Sequence, residues 1–212
     1  MATPDIPASY GGMVIGRVAG PGGARSRDLS PALSLRLSFK IITVVLAQLD
    51  CFVCRKHRDR GTLMPGGPVA EDDLVVVSHI VAPETLGREG TTAYLGHLFV
   101  EPRRHAPGLA DLTDAEARSV GWWSTQASRA LRDVAGAEHV YASVIGDAVP
   151  HLHVHLMPRF PGTPREYWWT RVDEWPRARR GDAVAIAAFV HELSAYLTVA
   201  GQPGSVRPSK ST

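Results

Sequence analysis

Three histidines, His151, His153 and His155, alternate with Leu152, Val154 and Leu156. In an extended strand successive side chains point to opposite faces, so the three imidazoles project from one face. Neighbours stand roughly 6–7 Å apart at ~3.3 Å of rise per residue, while the aliphatics anchor the other face in a core. Imidazole titrates near neutral pH, acts as a nucleophile and binds metals. A row of three therefore calls for either a metal ion or covalent chemistry. A second group lies far upstream. Cys51 and Cys54 are the only two cysteines, spaced Cys-x-x-Cys. That spacing suits a redox pair or half of a tetrahedral metal site. His57, just beyond the pair, is a candidate further ligand by local spacing.

The rest of the chain must hold these groups in place. Its 212 residues are 44% hydrophobic and 21% charged, with a formal net charge of +2. That composition fits a soluble globular protein and excludes a collagen-like fibre, a long coiled coil or a wholly disordered chain. The balanced charge gives no nucleic-acid footprint, so no nucleic-acid partner is expected. The most apolar run, residues 41–49, is far shorter than the ~20 residues a bilayer helix needs. Arg36 and Lys40 ahead of it faintly imitate a secretory signal, but too deep in the chain for one. No membrane partner and a cytoplasmic location are expected. Residues 1–45, rich in Gly and Pro near their start, read as a flexible N-terminal arm, 46–200 as the folded domain, and 201–212 as a disordered tail.

Within the domain, residues 73–80 (DLVVVSHI), 94–101 (YLGHLFVE), 138–145 (EHVYASVI) and 151–159 (HLHVHLMPR) read as strands. Thr113 and Glu116 have capping-box spacing and open a long helix that runs to about residue 134, where Gly136 stops it. Its Trp122 and Trp123 lie on adjacent faces, so at most one is deeply buried. A last helix covers about 182–197, with an apolar stripe through Val184, Ala188, Val190 and Leu193. Neighbouring strands with one long helix between them predict an α+β fold: an antiparallel sheet of about five strands, one long helix packed on it, and a C-terminal helix.

The segment His-Leu-His-Val-His-Leu-Met at 151–157 resembles the signature of the histidine triad (HIT) family, His-φ-His-φ-His-φ-φ with φ apolar, at every position. The stretch from Gly96 to His105 (GHLFVEPRRH) is similar to the family's Gly-His-x-Leu-Val-x-Pro-Lys-x-His, and the helix start at Leu112 to Glu116 and the Cys-x-x-Cys also match its zinc-bearing bacterial members. The resemblance covers about 46–160. It implies that His153 is a nucleophile attacking the α-phosphate of a nucleotide conjugate, giving a covalent nucleotidyl-histidine that water or another acceptor resolves. It implies supporting roles for His155 and His97. It implies a structural zinc ion held by Cys51, Cys54, His105 and His151, with His57 the rival for His105, and it implies a homodimer. The expected activity is nucleotide hydrolysis or nucleotidyl transfer. The alternatives are a phosphorylase using the same intermediate, or a nucleotide-binding module with little turnover.

Three departures from the family pattern concern the substrate. Gly146-Asp147-Ala148-Val149 stands where Gly-Gln-Ser/Thr-Val is usual. Ala148 lacks a hydroxyl, and Asp147 brings a carboxylate toward a phosphate, which repels it unless protonated or turned away. The loop before His151 is short and lacks the common Asn-x-Gly. Ser78-His79 stands where the family has an acid for the ribose hydroxyls. Asp147, Val149 and His79 are the expected substrate-binding positions. The segment 161–175, with Arg165, Tyr167, Trp168 and Trp169, is expected to close over the substrate or to line a dimer seam.

Overall fold

A computed structural model describes residues 51–200 apart from Asp147. The arm at 1–45, the tail at 201–212 and the Asp147 position lie outside the described residues. The chain opens with helix α1 (Phe52–Asp59). It continues through β1 (Ala70–Glu71), β2 (Val75–His79), β3 (Ala93–Tyr94), β4 (Leu98–Pro102), helix α2 (Asp114–Asp133), β5 (His139–Ser143), β6 (Val154–Arg159), β7 (Arg180–Gly181) and helix α3 (Ala183–Ala200). Five strands form one sheet in the order β1-β2-β4-β6-β5, every neighbouring pair antiparallel, and β3 pairs with β7 in a second, two-stranded sheet. This is the expected α+β architecture.

One face of the five-stranded sheet is covered by α2. Val120, Ala127, Ala130 and Leu131 recur at helical spacing and bury against Val75, Val77, Leu98, Val100 and Leu156. Each of the valines and leucines among them contributes about 1.5–3 kcal/mol on full burial. The helix begins as the sequence predicts. The Thr113 hydroxyl accepts from the Glu116 N–H, and the Glu116 carboxylate accepts from the Thr113 N–H at 2.8 Å. Trp122 is exposed, while Trp123 is half-buried and donates its indole N–H to Asp72 Oδ2 at 2.7 Å.

Several boundaries differ from the sequence reading. The predicted strand at 94–101 is broken at Gly96, whose φ of +92° and lack of a Cβ are both required: a Cβ there would meet Pro158 Cγ at 2.8 Å. The triad strand begins only at Val154, so His151 and His153 lie in the extended approach to β6 rather than in its ladder. The apolar stripe of α3 runs through Ile186, Val190, Leu193 and Leu197, all buried, whereas Val184 is exposed. Asp182 caps the helix by accepting from the N–H groups of Val184 and Ala185, which places Val184 in the solvent-facing first turn. Helix α1, which holds the Cys-x-x-Cys at its start, has no counterpart in the sequence reading.

Candidate functional site

The other face of the sheet carries the candidate site residues. Strand register places Ser78 opposite Phe99, Phe99 opposite His155, and His155 opposite Ser143. Side chains two residues along each strand share that face, so Glu101, His97, His153 and Tyr141 join the same layer. Helix α1 covers part of it. Between them lies a cavity of about 540 Å³ into which His153 opens, together with Phe52, Lys56, Phe99, Glu101 and Val149. That volume is within the ~300–1,000 Å³ range of small-molecule sites.

The three alternating histidines do not share one environment. His151 is fully buried, and both its nitrogens are engaged. Nε2 donates to the Pro102 carbonyl at 2.8 Å, and Nδ1 lies 3.5 Å from Cys51 Sγ and 3.4 Å from Cys54 Sγ. His105 Nδ1 lies 3.5 Å from Cys54 Sγ, and the four ligand atoms all fall within 4.8 Å of one another. A tetrahedral ion with metal–sulfur bonds of about 2.3 Å and metal–nitrogen bonds of about 2.0–2.1 Å has sulfur-to-nitrogen edges of about 3.5 Å. Cys51, Cys54, His105 and His151 therefore form a cluster that could hold a metal ion. Protonation chemistry fits as well. Burial pulls His151 down to about 4, so it is neutral at pH 7 with a free lone pair. Burial, and then the adjacent Cys51 sulfur, push the Cys54 thiol up to about 12, so thiolates at this corner need a cation beside them. The Pro102 carbonyl fixes the His151 tautomer and ring orientation, as outer partners of metal-bound imidazoles commonly do. His57, the local rival, turns to Glu101, with Nε2 3.0 Å from Oε2.

His153 is half-buried, and only one of its nitrogens is engaged. Nδ1 donates to the His151 carbonyl at 2.6 Å, which leaves the Nε2 lone pair free on a ring that lines the cavity. Its ring centroid lies 4.9 Å from that of His155 and 5.6 Å from that of Phe99. His155 Nδ1 pairs with His97 Nε2 at 3.0 Å, while His155 Nε2 is buried without a partner. Burial, reinforced by the neighbouring imidazoles, pulls His97 down to about 3 and His155 to about 4, so both are neutral at pH 7. If His97 donates Nε2–H to His155 Nδ1, then His155 carries its proton on Nε2, a donor with no protein acceptor. Ser143, directly across the ladder from His155, has a buried hydroxyl that is also unpartnered.

Of the expected substrate-binding positions, Val149 and His79 line the cavity. His79 has both nitrogens occupied: Nδ1 donates to the Ile80 carbonyl at 2.6 Å and Nε2 accepts from the Gly96 N–H at 2.8 Å. Burial pulls it down to about 4. The residues of 161–175 do not line this cavity. Trp169 instead stacks on Tyr141, with centroids 5.5 Å apart and planes at 15°, and the Arg159 guanidinium lies 4.0 Å over the Trp168 ring. The sequence reading passed over Lys56, Glu101 and Ser143. Strand register puts Glu101 and Ser143 on the face of the histidines, and the packing of α1 on that face brings Lys56 to them; both need the fold.

The comparisons with known proteins agree with this architecture. The sequence model of the HIT domain matches residues 69–162. It is 34% identical over 73 residues to AP-4-A phosphorylase of Mycobacterium tuberculosis, a match spanning 32% of this chain and 37% of that one. It is 33% identical over 72 residues to the nitrilase and fragile histidine triad fusion protein NitFhit of Caenorhabditis elegans, spanning 32% of this chain and 16% of that one. The matched stretch is thus well under half of either curated relative. In structure it resembles a zinc-bound histidine triad family protein from Mycobacterium smegmatis, with a TM-score of 0.53 at 18% identity over 72% of this chain and 99% of that one. It also resembles a hypothetical histidine triad nucleotide-binding protein from Sulfolobus tokodaii, with a TM-score of 0.51 at 18% identity over 70% of this chain and 95% of that one.

Proposed function

We propose that the protein is a nucleotide hydrolase or nucleotidyltransferase that cleaves nucleotide conjugates at the α-phosphate through a nucleotidyl-His153 intermediate. The observation that carries this reading is the His153 ring: Nδ1–H is held by the His151 carbonyl, and Nε2 is free on the cavity side. The Nε2 lone pair attacks the α-phosphorus and the bond to the leaving oxygen breaks. A polyphosphate leaves as a stable anion and needs no proton from the protein. As Nε2 becomes bonded to phosphorus the imidazole turns cationic, and the 2.6 Å bond to the carbonyl stabilises that charge. His155 Nε2–H, its tautomer set by His97, donates to a non-bridging oxygen, and Ser143 supplies a second donor. Water, or inorganic phosphate in a phosphorylase, then attacks the phosphoramidate and returns His153 to its starting state. Arg55 and Arg88 at the cavity wall supply positive charge for the leaving phosphates. The residue-by-residue roles follow the histidine triad pattern, and the curated relatives named above favour a phosphate-containing nucleotide conjugate.

The cation suited to Cys51, Cys54, His105 and His151 is zinc, since two thiolates and two imidazoles complete its preferred sphere. Bound there, zinc supplies cross-linking: four protein ligands leave no coordination position for substrate. The four residues tie the start of α1 to the His151 backbone, whose carbonyl orients His153. Thiolate ligation suits a reducing, cytoplasmic compartment. We read the folded unit as 46–200, acting as a homodimer through the β5 edge, where Val144, Ile145 and Trp169 are exposed. The test is to mix the protein with nucleotide conjugates labelled at the α-phosphate and trap the covalent adduct. Label on wild type and none on His153→Ala supports the reading. Nucleotide-dependent thermal stabilisation without cleavage of any conjugate overturns it in favour of a binding module.

A further inference from the structure

The proposed chemistry leaves unused a charged cluster at the floor of the same cavity. Lys56 Nζ donates to Ser78 Oγ at 2.9 Å and to Glu101 Oε1 at 2.6 Å, and the Ser78 hydroxyl donates to Glu101 Oε2 at 3.2 Å. Lys56 is 3% exposed and Glu101 1%. Burial alone would raise the Glu101 carboxyl, but the Lys56 ammonium and then His57 outweigh it and hold it at about 2. A buried ion pair seldom recovers its desolvation cost, and apolar residues of the same size would pack this floor at least as well. Phe52, Val53, Leu63, Ile80, Leu86 and Phe99 give the same cavity apolar wall, alongside the Arg55, Arg88 and His153 assigned above to the phosphate chemistry. An ammonium group has three hydrogens. Ser78 and Glu101 take two, and the third has no hydrogen-bond acceptor among the described residues. Nζ stands 5.1 Å from the centroid of Phe99, which itself lines the cavity, as Lys56 does.

Apolar wall beside a buried ammonium fits a flat heterocycle that presents acceptors on its edge, with Arg55 and Arg88 left to the phosphates. We propose that Lys56 makes this cavity selective for a 6-oxopurine, guanine or hypoxanthine, over adenine. The 6-oxo group and N7 of a 6-oxopurine are adjacent acceptors that one ammonium can serve together, whereas adenine places an amino donor at position 6, facing the cation. Glu101 and Ser78 are positioning residues that hold Nζ at the floor. The inference deepens the nucleotide reading and rests on it for placing the α-phosphate at His153.

The experiment is calorimetric binding of GMP, IMP and AMP to the full-length, metal-replete chain. GMP and IMP are expected to bind with similar affinity, each about tenfold or more tighter than AMP. In Lys56→Met the three are expected to fall within about threefold of one another. Because that variant strands the Glu101 carboxylate, Lys56→Met/Glu101→Gln removes both charges together, and circular dichroism checks its fold. AMP binding as tightly as GMP in wild type overturns the inference, and so does a 6-oxo preference that persists in both variants. Adduct trapping separates the two readings. Label on His153 together with AMP preference sinks this inference and leaves the catalytic reading standing. A 6-oxo preference without label does the reverse, and no binding of any nucleotide sinks both.

Discussion

His151 and His153 stand two residues apart on the same approach to β6 and carry the same side chain, yet they occupy opposite settings. His151 is sealed, with one nitrogen on a backbone carbonyl and the other facing two sulfur atoms. His153 gives one nitrogen to a backbone carbonyl and keeps the other for the cavity. What separates the two imidazoles is the partner of the second nitrogen and access to solvent, not the residue type, and the proposed division between a metal ligand and a nucleophile rests on that difference. The two are mechanically joined as well, because the carbonyl that orients His153 belongs to His151.

The sharpest way to break this contrast is His153→Ala. Turnover of nucleotide conjugates is expected to fall by at least about 10⁴-fold, while the melting temperature moves little, since the ring is half-buried and makes one hydrogen bond. A comparable loss of stability would put His153 in the structural class with His151. Next in size, Cys54→Ser attacks the sealed corner. The melting temperature is expected to drop by about 10 °C or more, bound metal to be lost, and activity to fall only secondarily. Scanning calorimetry with metal analysis checks this, and an unchanged melting curve would remove the cross-linking role.

A third measurement tests whether the histidines of the candidate site are held neutral. His97 and His155 are pulled to about 3 and about 4 from an ordinary 6.5. Between pH 6.5 and about 4 the unfolded chain binds protons at these positions that the folded chain refuses. They therefore lower stability progressively as pH falls through that window and leave it unaffected above it. Urea midpoints at pH 7 and pH 5 are expected to lie closer together in His97→Phe than in wild type. Smallest of all, Thr113→Ala removes a cap that touches neither corner. It is expected to cost about 1 kcal/mol, a drop of about 2–4 °C, with turnover unchanged.

Much of this molecule is legible in its sequence because the relevant signals are local. The capping box at Thr113 and Glu116 fixes the start of α2 through bonds spanning a single turn. The three valines at 75–77 mark a buried strand because few other environments accept such a run. The alternation of histidines with aliphatics at 151–156 marks the candidate site by spacing. The boundaries that shifted did so for non-local reasons. The 94–101 run breaks because Gly96 must pass close to Pro158, a residue far along the chain.

Composition and spacing by themselves determined the fold class, the long helix, and which residue types were available for metal binding and for nucleophilic chemistry. Tertiary structure decided which of them meet. His105 rather than His57 comes to the cysteines, because β4 delivers the Pro102 turn to His151 while Glu101 holds the His57 ring. Lys56 comes to the floor of the cavity because α1 folds across a strand pair whose members are far away in sequence. The physical reason is one of range. Capping bonds and side-chain alternation act over a few residues and can be read along the chain, whereas ligation, ion pairing and tautomer choice depend on contacts that only closure of the sheet creates.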